Sequence, residues 1–228
     1  MRNYEVRSDG NYSHLNEAGN IRNTIECVER VFKMSGLNGE ILVVDDNSQD
    51  GTSEIVNELR REWKNLAILV RYQDPGLSPS IIDGFSMASS DIIIIIDADM
   101  QHPPEKIPEL YEKIRRGYQI VIGSRYMKGG GIQGWGVVRC IISRVATFLA
   151  RLFFPTITDP VSGFFAVSHS VITNVPLRSR GYKILIEILG KGDYIRVVEV
   201  PYIFQKRKIG ASKLKQQTIK EFPGSLPI

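Results

Sequence analysis

Five consecutive isoleucines, Ile92 to Ile96, run directly into Asp97-Ala98-Asp99-Met100-Gln101. An unbroken β-branched run without polar alternation fits a strand buried on both faces, as at the centre of a parallel sheet. Two carboxylates and an amide at the end of such a strand are not core residues. They are oxygen donors on a rigid element, at the carboxyl edge where open α/β sheets bind ligands. An all-oxygen donor set suits a hard cation such as Mg2+ or Mn2+. The pattern predicts a cation site with something anionic on its far side.

The rest of the first half repeats one unit, a short apolar strand followed by a helix. Ile41-Leu42-Val43-Val44 reads as a strand ending in Asp45-Asp46-Asn47-Ser48-Gln49-Asp50-Gly51-Thr52, a polar loop able to cap a helix over 52–61. Further strands are expected over 66–70, 92–96 and 119–122, with helices over 78–88 and 103–116. The second of these opens on Pro103-Pro104, where a first turn tolerates proline. The alternation predicts an α/β fold with a mostly parallel, Rossmann-like sheet flanked by helices.

Composition narrows the class further. Hydrophobic residues make up 43% of the 228 residues and charged ones 24%, which is ordinary for a globular protein. A net charge of +4 permits an anionic partner without demanding nucleic acid, and no nucleic-acid partner is expected. Cys27 and Cys140 are the only cysteines and stand far apart, against a thiolate zinc site and for a reduced, intracellular setting. The polar start is no signal peptide, and no stretch reaches the roughly 18 to 20 apolar residues of a spanning helix. The expectation is a soluble or peripheral protein.

Beyond residue 126 the character changes. Gly129-Gly130-Gly131 reads as a flexible hinge. Residues 135–154 place Val137, Val138, Ile141, Ile142, Val145, Phe148, Leu149, Leu152 and Phe153 at helical spacing, with Arg139, Arg144 and Arg151 interleaved. Such a basic amphipathic helix either lies in a membrane interface or sits on the sheet with its arginines outward, and the pattern favours neither. A strand over 164–167, a helix over 181–189 and a strand over 195–200 follow, and the tail 216–228 reads as flexible. Arg125, Arg139, Arg207 and Lys213, taken with the acidic motif, describe a site for a pyrophosphate, arginine being the bidentate phosphate ligand and lysine a point charge.

Several segments in order, Val43 through Thr52, Asp97 through Glu105 and Gly123-Ser124-Arg125-Tyr126, resemble family 2 glycosyltransferases of GT-A fold. Asp159-Pro160-Val161-Ser162-Gly163-Phe164-Phe165, Gly181-Tyr182-Lys183-Ile184 and Glu199-Val200-Pro201-Tyr202 sharpen the resemblance toward archaeal-type dolichol-phosphate mannose synthases. The likeness implies a GT-A domain over 16–215. It implies mannose transfer from GDP-mannose to a dolichyl or polyprenyl phosphate on the cytoplasmic face of a membrane, with peripheral attachment. By the same resemblance Glu17, Val44 and Asp46 serve the nucleotide sugar, and Asp97 and Ala98 line the nucleotide site. Asp97, Asp99 and Gln101 surround the metal. Arg125, Arg207 and Lys213 hold phosphates, and Arg139 and Ser143 face the acceptor phosphate. The resemblance also tilts 135–154 toward an interface helix. His102 is expected beside the metal motif without ligating.

Two departures stand out. The family's first strand is apolar, whereas residues 1–15 are polar, so this segment is either a poor strand rescued by its context or no strand. Many relatives continue into transmembrane helices, which leaves peripheral attachment, a separate membrane-anchoring subunit or a truncated chain open. Rival readings are glucose transfer from UDP-glucose, an inactive relative, a nucleotidyltransferase and, remotely, a phospho-acceptor receiver domain. The last calls for a lysine at the end of a strand, where this chain has Gly123-Ser124-Arg125.

Overall fold

The computed structural model describes residues 17–178 and 184–206, and the backbone of residues 3–7. In chain order the elements are β1 (Asn3–Arg7), α1 (Ala18–Ser35), β2 (Glu40–Asp45), α2 (Thr52–Leu59), β3 (Leu66–Val70), α3 (Leu77–Met87), β4 (Ile92–Asp97), a 3-10 turn (Pro104–Lys106), α4 (Ile107–Arg115), β5 (Ile120–Ser124), β6 (Gly131–Ile132), α5 (Val137–Arg151), β7 (Phe165–Ser168), α6 (His169–Ile172), α7 (Ile184–Lys191), β8 (Val197–Pro201) and β9 (Ile203–Phe204). The main sheet has the order β3-β2-β1-β4-β7-β5-β8. Only β7 runs antiparallel to its neighbours β4 and β5.

β4 sits at the centre of this sheet, and all five isoleucines are buried. Ile92, Ile94 and Ile96 face one apolar layer with Ile21, Ile25 and Val28 of α1 and Leu110 and Ile114 of α4. Ile93 and Ile95 face the other, with Ile81 and Phe85 of α3 and Leu185 and Ile188 of α7. An alternating strand would leave one of these layers open, which explains why the sequence here has no polar position. Each isoleucine withdrawn from water contributes about 1.5–3 kcal/mol, so β4 is a stiff support for the carboxylate at its end.

The N-terminal ambiguity resolves as a strand. β1 pairs in parallel with β2 from Asn3 opposite Glu40 to Arg7 opposite Val44, and on its other edge with β4, Arg7 opposite Asp97. Main-chain ladders on both edges need no apolar side chains, which is why a polar sequence serves here.

Other boundaries shift. The expected glycine hinge is instead a packed corner. Gly131 and Ile132 form β6, which pairs in parallel with β9. A Cβ on Gly130 would stand 2.5 Å from the Ser124 carbonyl oxygen, so glycine there permits a close crossing over the end of β5. The amphipathic segment is helical over Val137–Arg151, and only Ala146, Thr147 and Ala150 in it are buried. α7 begins at Ile184 and ends at Lys191, with residues 181–183 outside the described set. The tail over 216–228 also lies outside it.

Candidate active site

The carboxyl ends of β2, β1, β4 and β5 lie along one edge of the sheet, and the loops leaving them form the candidate site. Asp97 is the last residue of β4. The loop after it is held by main-chain bonds from three directions. The Thr24 hydroxyl of α1 donates to the Ala98 carbonyl at 2.7 Å. The Asp97 N–H donates to His102 Nδ1 at 3.1 Å. The Gln101 N–H donates to Asp99 Oδ1 at 3.0 Å. Met100 takes φ +62°, a left-handed turn that folds Gln101 back beneath the loop.

Gln101 is buried and clamps a second segment. Its Nε2 donates to the Gln205 carbonyl at 2.8 Å, and the Gln205 N–H returns a bond to the Gln101 carbonyl at 2.9 Å. The side chain expected on the metal is thus also a tether for the chain just before residue 207. Arg207 and Lys213, expected to hold phosphates, lie outside the described residues.

Could this motif take a divalent cation? Among the described residues no three His, Cys, Asp or Glu side chains converge on one point. The chain offers two carboxylates, Asp97 and Asp99, both partly exposed. Magnesium-type ions are commonly held by one or two carboxylates, with phosphate oxygens and waters completing the shell. The donor set fits a cation shared with a diphosphate and does not fit an all-protein cage.

His102 is 2% exposed, with its ring stacked on Phe164 at 5.2 Å and edge-on to Tyr202 and Phe204. Burial, helped by the nearby Arg125 charge, pushes its pKa down to about 3. The 3.5 Å approach of its Nδ1 to Asp97 Oδ2 is therefore not an ion pair. Because the folded-state pKa lies below the ordinary 6.5, the unfolded chain binds a proton that the folded one does not. Stability from this group is present above pH 6.5 and is lost as the pH falls toward 3. Lowering the pH from 6.5 to 4.5 should remove about 2–3 kcal/mol through His102. Urea unfolding of His102→Phe, which has no such proton to bind, should show a correspondingly flatter fall.

Glu17, Val44 and Asp46, expected on the nucleotide side, and Asp45 beside them are enclosed within the protein. Asp45 is fully buried and organises the loop after β2, accepting from the Ser48 N–H at 3.0 Å, from the Ser53 hydroxyl at 2.8 Å and from the Ser48 hydroxyl. Asp46 accepts from Arg71 Nη1, the Gly76 N–H at 2.8 Å and the Ser80 hydroxyl. Arg71 also donates to Asp83 at 2.5 Å. Burial would lower the Arg71 pKa, but Asp83 and Asp46 together raise it. Val44 is fully buried. Asp50 caps two helices at once: Oδ1 accepts from the Thr52 N–H at the start of α2, and Oδ2 from the Ala18 N–H at the start of α1. Glu17 is buried just before α1 and accepts from the Asn20 amide at 3.0 Å.

Arg125, expected on a phosphate, is paired within the protein. It donates to both oxygens of Asp159, Nε to Oδ2 at 2.7 Å and Nη2 to Oδ1 at 2.8 Å, and its own N–H adds a third bond at 3.0 Å. Desolvation works against the charge, yet the Asp159 carboxylate more than offsets it and raises the arginine's pKa. Glu199 of β8 braces the same loop, accepting from the Thr158 N–H and hydroxyl and from the Asp159 N–H, each within 2.9 Å. Arg139 lies 4.0 Å over the Trp135 ring, and Ser143 shares a 2.7 Å hydrogen bond with the Tyr126 hydroxyl. These contacts bring Arg139 and Ser143 to the β5 side of the edge.

Sequence reasoning left out Arg71 and gave Asp159, quoted only within a family-like segment, no role. Each belongs to a buried arginine pair, and both arginines directly follow or close a strand. An arginine at the carboxyl end of an apolar strand, with aspartates within reach of the same edge, is the signal that would have found them.

Residues 14–175 match the model of glycosyl transferase family 2. The chain belongs to that family. This family 2 protein is 45% identical over 210 residues to a dolichol-phosphate mannosyltransferase of Pyrococcus furiosus, a match covering 91% of the chain but 59% of that relative. It is 36% identical to the dolichol-phosphate mannosyltransferase of Saccharomyces cerevisiae, covering 80% of the chain and 71% of the relative. Among solved structures it is similar to glucosyl-3-phosphoglycerate synthase of Mycobacterium tuberculosis in complex with Mn2+, UDP-glucose and phosphoglyceric acid. That likeness has a TM-score of 0.64 at 24% identity, over 92% of this chain and 72% of that one. At that identity what is shared is the fold, and the family 2 protein has the GT-A architecture its sequence predicts.

Proposed function

We propose that this protein transfers mannose from GDP-mannose to a dolichyl or other polyprenyl phosphate, at the cytoplasmic surface of a membrane and with Mg2+ or Mn2+. The observation that carries the reading is the pair Asp97 and Asp99, fixed by main-chain bonds at the end of a buried strand, in a chain 45% identical to a dolichol-phosphate mannosyltransferase.

Asp97 and Asp99 would hold the cation, with the Gln101 side chain beside them. When bound, the cation would neutralise charge gathering on the departing diphosphate. The acceptor phosphate is ionised near neutral pH and needs no general base. One of its oxygens forms the new bond to the anomeric carbon as the bond to GDP breaks, with inversion. The protein's part is placement and charge. Arg139 and Ser143 stand on the acceptor side. Arg125, held by Asp159, shapes that side and leaves direct phosphate contact to Arg139, Arg207 and Lys213. Glu17, Val44, Asp46 and Ala98 build the nucleotide end.

The membrane reading rests on α5. Val137, Val138, Ile141, Val145 and Phe148 on α5, with Leu152 and Phe153 in the turn after it, are each more than half exposed, a larger apolar face than a soluble surface ordinarily carries. No helix among the described residues is long and apolar enough to cross a membrane, so α5 would lie along the surface. Replacing Phe148 and Leu152 together by aspartate should weaken co-flotation with anionic vesicles at least tenfold, since two large side chains lose their apolar seat. Transfer to a short, water-soluble polyprenyl phosphate should be spared.

The direct test is radiolabelled sugar transfer to polyprenyl phosphate from GDP-mannose and UDP-glucose in parallel, with and without a chelator. Mannose transfer abolished by the chelator is the expected result. Transfer from UDP-glucose alone would overturn the donor, and chelator-insensitive transfer would overturn the cation.

A further inference from the structure

His102 stands outside the roles derived so far. Its ring is clamped by Phe164, Tyr202 and Phe204, an arrangement that fixes the imidazole plane. A histidine held only for packing would have no reason to aim a nitrogen at one amide. Here Nδ1 accepts the N–H of Asp97, the residue carrying the first carboxylate of the motif. The last rung between β4 and β7 joins Ile95 to Phe165, so Asp97 lies beyond the ladder on that side. Continuing that register past its last rung, Gly163 comes next to Asp97 on the β7 side, where a Cβ would come 3.6 Å from Asp97 Oδ2 and 3.4 Å from His102 Cε1. The carboxylate and the imidazole thus share one tight seat.

We infer that His102 is a positioning residue: its Nδ1 takes over where the β4–β7 ladder ends, holding the Asp97 main chain so that its carboxylate is aimed at a divalent cation. The inference rests on the cation reading proposed above. His102 touches neither cation nor substrate in this role. It acts through Asp97, as outer residues that orient ligands commonly do. With Nδ1 accepting, the proton of the neutral ring sits on Nε2.

Two substitutions separate aim from packing. His102→Phe keeps a ring between Phe164 and Phe204 but removes the acceptor. His102→Asn gives up the ring but can place Oδ1 near the position of Nδ1. Mn2+ alone is titrated into the full chain and followed by the loss of its free-ion EPR signal, with melting temperature and Asp97 amide exchange measured alongside. The expected result is Mn2+ affinity reduced about 10- to 100-fold in His102→Phe, with faster Asp97 exchange, and substantial recovery of both in His102→Asn despite its poorer packing. Mn2+ affinity in His102→Phe within twofold of the unsubstituted protein would overturn the inference. So would equal losses in both variants that track their melting temperatures, which is the mark of a purely structural histidine. An unsubstituted protein that binds no Mn2+ would overturn the cation reading itself, and this inference with it.

Discussion

Asp99→Ala is expected to lower the proposed mannose transfer about a thousandfold, a loss of about 4 kcal/mol of transition-state stabilisation, while the protein still folds. The size follows from the poverty of the donor set. On the proposed reading, Asp97 and Asp99 are the carboxylates that the described residues would bring to the cation, so removing one would take away half of that charge. The loop itself has other supports. Thr24 still holds the Ala98 carbonyl, His102 the Asp97 N–H, and Gln205 both ends of Gln101. The melting temperature should therefore move by only a few degrees. Asp99→Asn, which retains an oxygen donor without the charge, should fall between. Initial rates at saturating Mn2+ check this, and an alanine variant within tenfold of the parent would remove Asp99 from the cation site.

The largest stability effect is expected at Asp159→Ala. Asp159 is fully buried and the Arg125 side chain is 9% exposed, so the substitution strands a guanidinium away from water. Losing one partner of a buried pair costs about 3–5 kcal/mol, or roughly 6–20 °C in a chain of this size. Arg125 has aromatic rings of Tyr126, Trp135 and Phe204 within 5.9 Å, which soften the loss without supplying a counter-charge. The double variant Asp159→Ala with Arg125→Met should recover much of it, because the uncompensated charge is gone. Thermal and urea unfolding would show this. A double variant no more stable than Asp159→Ala would mean that the loop bonds matter more than the charge.

The two arginine pairs also mark the limit of what the residues disclose in order. Periodicity located β4 and the strand-helix alternation, because burial on both faces writes itself directly into the isoleucine run. The same reading placed Asp97 and Asp99 at a strand end. It could not show that Arg125 is committed to Asp159, since the two stand 34 positions apart and meet only through the β5–β7 pairing. Nor could it show that Gln101 grips Gln205, a contact across 104 positions made to main-chain atoms that carry no residue-type signal. α5 was readable as amphipathic, but its orientation was not. That the apolar face points outward and only Ala146, Thr147 and Ala150 inward is a tertiary fact.

β1 has an implication for anyone dividing this chain. The family likeness begins at residue 14, and the preceding residues look expendable by composition. Yet among the described residues Asn3–Arg7 is the strand that joins the β3-β2 pair to β4 and everything beyond it. A boundary drawn where the recognisable sequence starts would not trim a tail. It would pull the keystone from between Asp46 and Asp97 and leave two half-sheets, each with a raw edge where the nucleotide should lie.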